Sequence, residues 1–163
     1  MKKIILVVMI ILMFPVQSYA YEYREKVSYI EGTLEEQANS KEIIKAAEIL
    51  KECNKSVNDT YFVYLFVKDY IEYDFDKFKN RENYTYNAVT ALKERKGTCV
   101  DFSLLYAALC RAMGYECNIV VSLNGAHARN EVYDGRQWVQ VDCAMEYYKV
   151  TDEYEPYVTY KIK

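Results

Sequence analysis

The spacing of apolar residues predicts helices in the first half of the chain. Between residues 41 and 53 apolar side chains recur every three or four positions, directly after Ser40, a residue type that caps helices. A similar spacing predicts a second helix, which Asp59 can cap and which ends near Tyr73, and a short third helix at about 87–95. This part of the chain is therefore expected to be helical.

A fourth helix is predicted from Cys99 to Met113, and it is apolar on nearly every face. A helix with so little polar surface belongs in the interior of a domain. Thr98, followed three residues later by Asp101, resembles a capping box and would make Cys99 the first helical residue. Gly114 then supplies a C-terminal stop.

Beyond the fourth helix, the spacing of apolar residues changes from that of helices to that of β-strands. Residues 117–123 are rich in β-branched side chains, Asn-Gly at 124–125 is turn sequence, and two further strands flank Asp-Gly at 134–135. Helices followed by antiparallel strands predict an α+β domain with a buried central helix packed on the sheet. Residues 21–38 are expected to form a charged arm on this domain, and the tail, 154–163, is a candidate edge strand.

Residues 1–20 have the pattern of a secretory signal peptide. Two lysines precede an apolar run from residue 4 to 14, and small residues before position 21 predict cleavage after Ala20. The run is shorter than the roughly 20 residues that span a bilayer, so no stable membrane anchor is expected after cleavage, although an uncleaved anchor is the alternative. Residues 21–163 then fit one domain of a secreted or cell-envelope protein.

Charge narrows the range of partners. The 163-residue chain has 21 basic and 24 acidic residues, and loss of the two signal lysines leaves 19 against 24, a net charge of −5. This acidic balance argues against nucleic acid as a partner. The acidic residues show no calcium-loop spacing, and no metal or cofactor is expected.

The five cysteines are an odd number for an exported chain, so at least one thiol has no intramolecular partner. If Cys99 is that thiol, the others could form two disulfides in any of three pairings or remain buried thiols. These four are Cys53, Cys110, Cys117 and Cys143.

Cys99 is a candidate nucleophile because of its place at the helix start. Free backbone N–H groups and the positive end of the helix dipole lie there, and both favour a thiolate over a thiol. Burial of the helix body would hold this thiol rigidly. The alternative is that Cys99 is a small core residue or half of a disulfide.

His127 is the one histidine of the chain. A two-residue turn at 134–135 would place it directly opposite Asp142 in an antiparallel pair. Side chains so placed are close enough for a carboxylate to accept a hydrogen bond from an imidazole. A three-residue loop would instead pair His127 with Cys143. With the two-residue turn, Cys99, His127 and Asp142 have the residue types of a nucleophile, a base and an orienting group.

These segments resemble the transglutaminase-like superfamily. GTCVDFSLLYAALCRAMGYECNIV matches its Gly-x-Cys helix start and Arg-x-x-Gly helix end, and HARNEVYDGRQWVQVD matches its His-x-x-Asn-Glu-Val and Trp-x-x-x-Asp strands. VKDYIEYDF, residues 67–75, resembles the segment before the catalytic helix, so the resemblance covers roughly 60–145. It implies a papain-like core in which Cys99 attacks an amide carbonyl, His127 shuttles the proton and Asp142 orients His127.

Two departures from the family pattern bear on the site. Arg129 stands where many members have tryptophan, which leaves substrate preference open, and no tryptophan precedes Cys99 to stabilise an oxyanion as in animal transglutaminases. The N–H of Cys99 is one candidate oxyanion donor, and Tyr84 or Tyr86 is a candidate for a second. Trp138 is expected in the core.

The leading hypothesis is a secreted cysteine protease, amidase or protein-glutamine acyltransferase. It would act on peptide or isopeptide amides of a protein or peptide substrate, cell-wall peptide included, through an acyl-thioester and without a cofactor. One alternative is a non-catalytic module that binds peptide or cell-wall material on the same fold. Another is a structural secreted protein held by disulfides, with Cys99 in a bridge.

Overall fold

A computed structural model describes residues 30–55, 57–80, 84–121 and 127–150. Over these residues, helices precede a four-stranded antiparallel sheet, which confirms the predicted α+β class. The helices are α1 (Leu34–Ala38), α2 (Lys41–Cys53), α3 (Asp59–Tyr70), α4 (Phe75–Lys79), α5 (Ala88–Glu94) and α6 (Cys99–Ala112). The strands are β1 (Glu72–Tyr73), β2 (Lys96–Gly97), β3 (Cys117–Val121), β4 (Ala128–Tyr133), β5 (Trp138–Asp142) and β6 (Tyr147–Val150).

Helices α2 and α3 lie where the apolar spacing predicts them. Ser40 occupies the N-cap position of α2, although its hydroxyl makes no capping hydrogen bond. The expectation that Asp59 caps α3 is wrong by one residue. Asn58 is the cap, because its backbone is still extended and its side-chain oxygen accepts the N–H of Thr60 at 2.9 Å. Helix α3 ends at Tyr70 because the chain then extends into β1.

The expected arm at 21–38 is wrong over its last five residues. Residues Leu34–Ala38 form α1, with a capping box between Thr33 and Glu36. Leu34 and Ala38 are buried, and α1 packs on α6. The amphipathic stretch is only five residues long, which explains why its periodicity is weak in the sequence. Residues 21–29 lie outside the described residues.

A short parallel ladder precedes the central helix. Strand β1 pairs with β2 so that Tyr73 lies opposite Gly97. The sequence pattern predicts neither this ladder nor α4. Helix α4 lies in a polar stretch that resembles a turn. The third predicted helix is confirmed as α5, which Asn87 caps and which ends at Arg95 in the left-handed conformation (φ 56°).

Helix α6 is the buried central helix that the sequence predicts. Every residue from Asp101 to Cys110 is buried. Helices α1, α2, α3 and α5 pack against it, and strands β3 and β4 also contact it. Gly114 follows the helix end with a φ of 92°, a conformation that glycine adopts without strain.

The sheet has the order β3-β4-β5-β6, but its register differs from the prediction. Tyr133 pairs with Trp138, so the loop contains four residues, 134–137, rather than two. The Asp134 carboxylate closes this wider loop by accepting the N–H groups of Arg136 and Gln137 at 2.8 and 2.9 Å. The expectation that His127 lies directly opposite Asp142 is therefore wrong.

The register also decides which side chains face α6. Val139 and Val141 are buried on that face, whereas Trp138 is 43 % exposed on the other face of the sheet and lies against the ring of Tyr133. The expectation that Trp138 belongs to the core is wrong, because side chains alternate along β5 and residue 138 faces away from α6, unlike its neighbour Val139.

All five cysteines lie in the described part of the chain, and all five are free thiols there. Cys53 is exposed on α2, and the other four are buried. None of the helices in the described ranges is long and apolar enough to cross a membrane. The predicted signal peptide at 1–20, the turn at 124–125 and the tail at 154–163 lie outside the described residues.

Candidate active site

Cys99 is the first residue of α6, and a capping box fixes the backbone around it. The N-cap is Thr98, and its N–H donates to the Asp101 carboxylate at 2.7 Å, as the sequence predicts. As the first helical residue, Cys99 has an N–H with no intrahelical acceptor. The side chain of Cys99 is buried, with 5 % exposure, so the thiol sits at the edge of the core.

Gly97 allows this cap to form. A Cβ added at Gly97 would lie 2.4 Å from the Cβ of Asp101, much closer than real side chains approach one another. The absence of a side chain therefore lets β2 run directly past the start of α6. Because Gly97 also pairs with Tyr73, the ladder between β1 and β2 is tied to the position of Cys99.

His127 and Asp142 are joined by a hydrogen bond between His127 Nε2 and Asp142 Oδ2. His127 directly precedes β4, and Asp142 is the last residue of β5. The second carboxylate oxygen, Oδ1, accepts the N–H of Met145 at 2.9 Å. Asp142 is buried at 2 % exposure, so both of its oxygens are held in place.

The contact forms although the two residues are not cross-strand partners. Asn130 pairs with Val141, and one further step of the same register places Arg129 opposite Asp142. His127 lies two residues before Arg129, so it is the diagonal neighbour of Asp142 on the same face. A shift of two residues preserves the face of every side chain, and the predicted contact survives the wrong register for this reason.

Cys99 completes the arrangement from the other side of the ring. The pKa of His127 is raised to about 10, first by the hydrogen bond to Asp142 and then by a side-chain hydrogen bond to Cys99, while burial opposes the increase. Since Asp142 engages Nε2, Nδ1 is the ring nitrogen left for the sulfur. The imidazole thus lies between a thiol and a carboxylate and is protonated at neutral pH.

The profile of the transglutaminase-like superfamily matches residues 43–143, which include Cys99, His127 and Asp142. The chain belongs to this superfamily. Its described residues have the mixed helix-and-sheet core that the resemblance implies.

Solved structures are similar to this member of the transglutaminase-like superfamily at low sequence identity. One is a crystal structure from Cytophaga hutchinsonii, provisionally described as a cysteine protease, with 23 % identity and a TM-score of 0.51 over 72 % of this chain and 44 % of that one. Another is a crystal structure of a TGase, with 18 % identity and a TM-score of 0.45 over 85 % of this chain and 41 % of that one. This chain therefore spans less than half the length of either protein. No curated protein is a significant match in sequence.

Arg129, at the position where many superfamily members have tryptophan, is buried in β4 on the same face of the sheet as the Asp142 carboxylate. Its Nη1 donates to the Tyr147 hydroxyl at 2.9 Å, and Tyr147 pairs with Asp142 across β5 and β6. Arg129, Asp142 and Tyr147 therefore form a row on the same face of the sheet.

Tyr84 and Tyr86, the candidates for a second oxyanion donor, both have their rings against the ammonium of Lys77. The ring centroids lie 5.5 and 4.9 Å from Lys77 Nζ. Tyr86 is buried and Tyr84 is 41 % exposed. An oxyanion role for either hydroxyl stays a prediction.

Sequence reasoning missed Lys77. This lysine is 5 % exposed and forms an ion pair with Asp101 under the start of α6. One local signal was present, since Asp74 is a typical helix cap and accepts the N–H groups of Asp76 and Lys77. That signal predicts a helix but not the burial of its lysine.

Across residues 30–55, 57–80, 84–121 and 127–150, no group of three or more histidine, cysteine, aspartate or glutamate side chains is arranged to hold a metal ion.

Proposed function

We propose that this superfamily member is a cysteine enzyme that acts on peptide or isopeptide amides through an acyl-thioester on Cys99. His127 serves as general acid and base, and Asp142 orients its ring. The substrate is a protein or peptide, with cell-wall peptide as one candidate class.

One observation carries the proposal: the His127 ring is hydrogen-bonded to Asp142 on one side and to Cys99 on the other. A carboxylate fixed by Met145 N–H holds the ring in one orientation. An imidazolium beside a sulfur at a helix start stabilises the thiolate, which is the nucleophilic form. Superfamily membership supports the same chemistry, because the match over residues 43–143 includes Cys99, His127 and Asp142.

The first half-reaction follows from this arrangement. The Cys99 sulfur attacks the amide carbonyl carbon, and the developing oxyanion accepts a hydrogen bond from the N–H of Cys99. The His127 imidazolium gives its Nδ1 proton to the leaving nitrogen, the C–N bond breaks, and an amine departs. The product is a thioester between the acyl group and Cys99, with His127 neutral.

The second half-reaction uses the neutral ring as a base. His127 takes a proton from water or from an amine as that nucleophile attacks the thioester carbonyl carbon. The C–S bond breaks, which restores the thiolate and imidazolium and releases an acid or a new amide. We favour hydrolysis slightly, because water needs no binding site of its own whereas an amine acceptor does.

We also propose that this activity is exported. The lysines and apolar run of residues 1–20 support this location, with cleavage after Ala20. The net charge of −5 on the remaining chain is consistent with a peptide partner rather than nucleic acid.

A peptide library tests the function directly. The purified protein is incubated with the library, with and without a primary amine, and products are weighed by mass spectrometry. Cleaved backbone indicates a protease, whereas a mass gain equal to the amine minus ammonia at glutamine indicates transfer. The matched control is Cys99→Ala, which lacks the sulfur and is expected to retain the fold because the substitution removes a single buried atom.

The alternative of a binding module gives a different result. Peptides that bind wild-type and Cys99→Ala protein equally well, and that emerge unchanged from both, would contradict the enzyme proposal.

A further inference from the structure

A buried ion pair lies directly under the start of the helix that carries Cys99. Lys77 Nζ is 2.9 Å from Asp101 Oδ1, and the two side chains are 6 % and 0 % exposed. The other oxygen, Asp101 Oδ2, accepts the N–H of Thr98 at 2.7 Å and its hydroxyl at 3.1 Å. Both oxygens of this carboxylate are therefore engaged, one by the helix cap and one by a cation from α4.

The carboxylate of Asp101 would oppose ionisation of Cys99 if it were alone. It lies two residues after Cys99, within the first turn of α6. Two negative charges within one helical turn repel each other, and burial prevents water and salt from screening that repulsion. A cap at this position therefore stabilises the helix start but works against a thiolate there.

Lys77 is held so that it can offset this charge. Asp74 is the N-cap of α4, and its carboxylate accepts the N–H of Lys77 at 2.9 Å, which fixes the backbone of Lys77. The ammonium lies 4.9 Å from the ring centroid of Tyr86 and 5.5 Å from that of Tyr84. The faces of these rings attract the cation and lower the cost of its burial. A lysine buried so fully is stable only with such partners.

We infer that Lys77 is a positioning residue for the proposed reaction, whose ammonium cancels the charge of Asp101 and so removes a repulsion that would oppose the nucleophilic form of Cys99. This inference rests on the proposed function. It separates two tasks at the start of α6: Asp101 caps the helix, and Lys77 removes the electrostatic penalty of that cap.

Other charged and titratable groups around the helix start also act on Cys99 or Lys77, and they are the same in every variant. His127 faces Cys99, Asp142 lies on the far side of the His127 ring, and the rings of Tyr84 and Tyr86 face Lys77. Asp74 also has a cation nearby, at 3.6 Å, in the exposed Lys96 of β2. Every variant keeps these side chains, so the variants differ in sequence only at Lys77 and Asp101.

The test measures the iodoacetamide alkylation rate of Cys99 against pH, by mass spectrometry on the full protein. Exposed Cys53 is the internal control in every sample. With Lys77→Met we expect the midpoint of the Cys99 profile to rise by about one pH unit, because one nearby positive charge is lost. Lys77→Arg keeps the charge and should leave the midpoint close to that of wild type.

Asp101 supplies the decisive comparison. Asp101→Asn keeps an oxygen for the Thr98 N–H and removes the negative charge, so the midpoint should fall below that of wild type. In the double variant Lys77→Met with Asp101→Asn, the midpoint should return close to that of wild type, because both charges of the pair are gone. A purely structural role for Lys77 would shift both single variants in the same direction, because each leaves one member of the ion pair buried without its partner, whereas the charge account predicts shifts in opposite directions.

Three results would overturn the inference. One is a Lys77→Met midpoint equal to that of wild type. Another is a double variant displaced further than either single one. The third applies if Lys77→Met fails to fold: an Asp101→Asn midpoint that is equal to or above that of wild type. A wild-type Cys99 that reacts no faster than Cys53 would count against the proposed function itself, and the role of Lys77 would fall with it.

Discussion

His127 and Asp142 are hydrogen-bonded although the ladder between β4 and β5 places them diagonally rather than opposite each other. Continuing the ladder by one residue places Arg129 opposite Asp142, and the Nη1 of Arg129 reaches across the sheet to Tyr147. This diagonal position puts the His127 imidazole just before the start of β4, where it can also reach Cys99. Strand register thus sets the direction in which the ring points.

The bond between His127 and Asp142 predicts a pH-dependent stability. The folded pKa of His127, about 10, exceeds its ordinary value of 6.5, so the stabilisation is complete below about pH 6.5 and is lost as the pH rises through 10. Asp142→Asn should therefore lower the free energy of unfolding more at pH 6 than at pH 9.5. Because 32 % of the His127 side chain is exposed, we expect a difference of about 1–2 kcal/mol at pH 6.

Chemical denaturation at the two pH values measures this difference. The comparison is made in wild type and repeated in a Cys99→Ala background, where no thiol at the site titrates. Because the hydrogen bond to Cys99 also raises the pKa of His127, the stabilisation should be lost at a lower pH in that background, and Asp142→Asn should still cost more at pH 6 than at pH 9.5. An equal loss of stability at pH 6 and pH 9.5 would mean that the carboxylate does not set the charge of the imidazole.

Gly97→Ala should disturb both the fold and the site. The new Cβ would lie 2.4 Å from Asp101 Cβ, which is backbone-linked and cannot move without shifting the cap. We expect a loss of about 1–3 kcal/mol in the free energy of unfolding, typical of overpacking, and slower alkylation of Cys99.

Gly135→Ala is the matched control for that change. Gly135 has a φ of 95° and open space around its Cβ position, so alanine there adds backbone strain without a clash. It should reduce stability and leave the alkylation rate of Cys99 unchanged. Equal effects of the two substitutions on that rate would contradict the role given to Gly97.

The thiols provide a further prediction. All five are free in the described structure, and burial raises the pKa values of Cys117 and Cys143 well above the ordinary range. We therefore expect that Cys110, Cys117 and Cys143 resist alkylation in the folded protein. They should react after the protein is denatured, even when no reductant is added.

Mass spectrometry after denaturing alkylation counts these thiols. Five modified cysteines agree with the structure. Fewer than five, with a mapped bridge between two cysteines, would instead favour one of the disulfide pairings that the sequence allows.

Helices were predictable where a long apolar period coincides with burial. Helices α2 and α6 lie at or within one residue of their expected bounds, because each buries one or more faces over at least 13 residues. The five residues of α1 and of α4 give too short a pattern. Their positions depend on tertiary contacts, such as the packing of Leu34 in the core, that the local sequence does not reveal.

The turn at Asp134 was not predictable from its residue types. Asp-Gly suits a two-residue turn, but here the Asp134 carboxylate binds the backbone of Arg136 and Gln137 and closes a four-residue loop. Face alternation along the strands was predictable, and it preserved the contact between His127 and Asp142. The ion pair of Lys77 was not, because its partners Asp101 and Tyr86 come from separate parts of the chain.

The most direct measurement compares iodoacetamide alkylation of Cys99 and Cys53 at pH 7, in wild type and in His127→Ala. We predict that wild-type Cys99 reacts about tenfold or more faster than Cys53, as expected for a thiolate against an ordinary thiol, and that His127→Ala removes the excess. Equal rates for the two thiols in the wild-type protein, or a fast Cys99 that is indifferent to His127→Ala, would contradict a histidine-activated nucleophile.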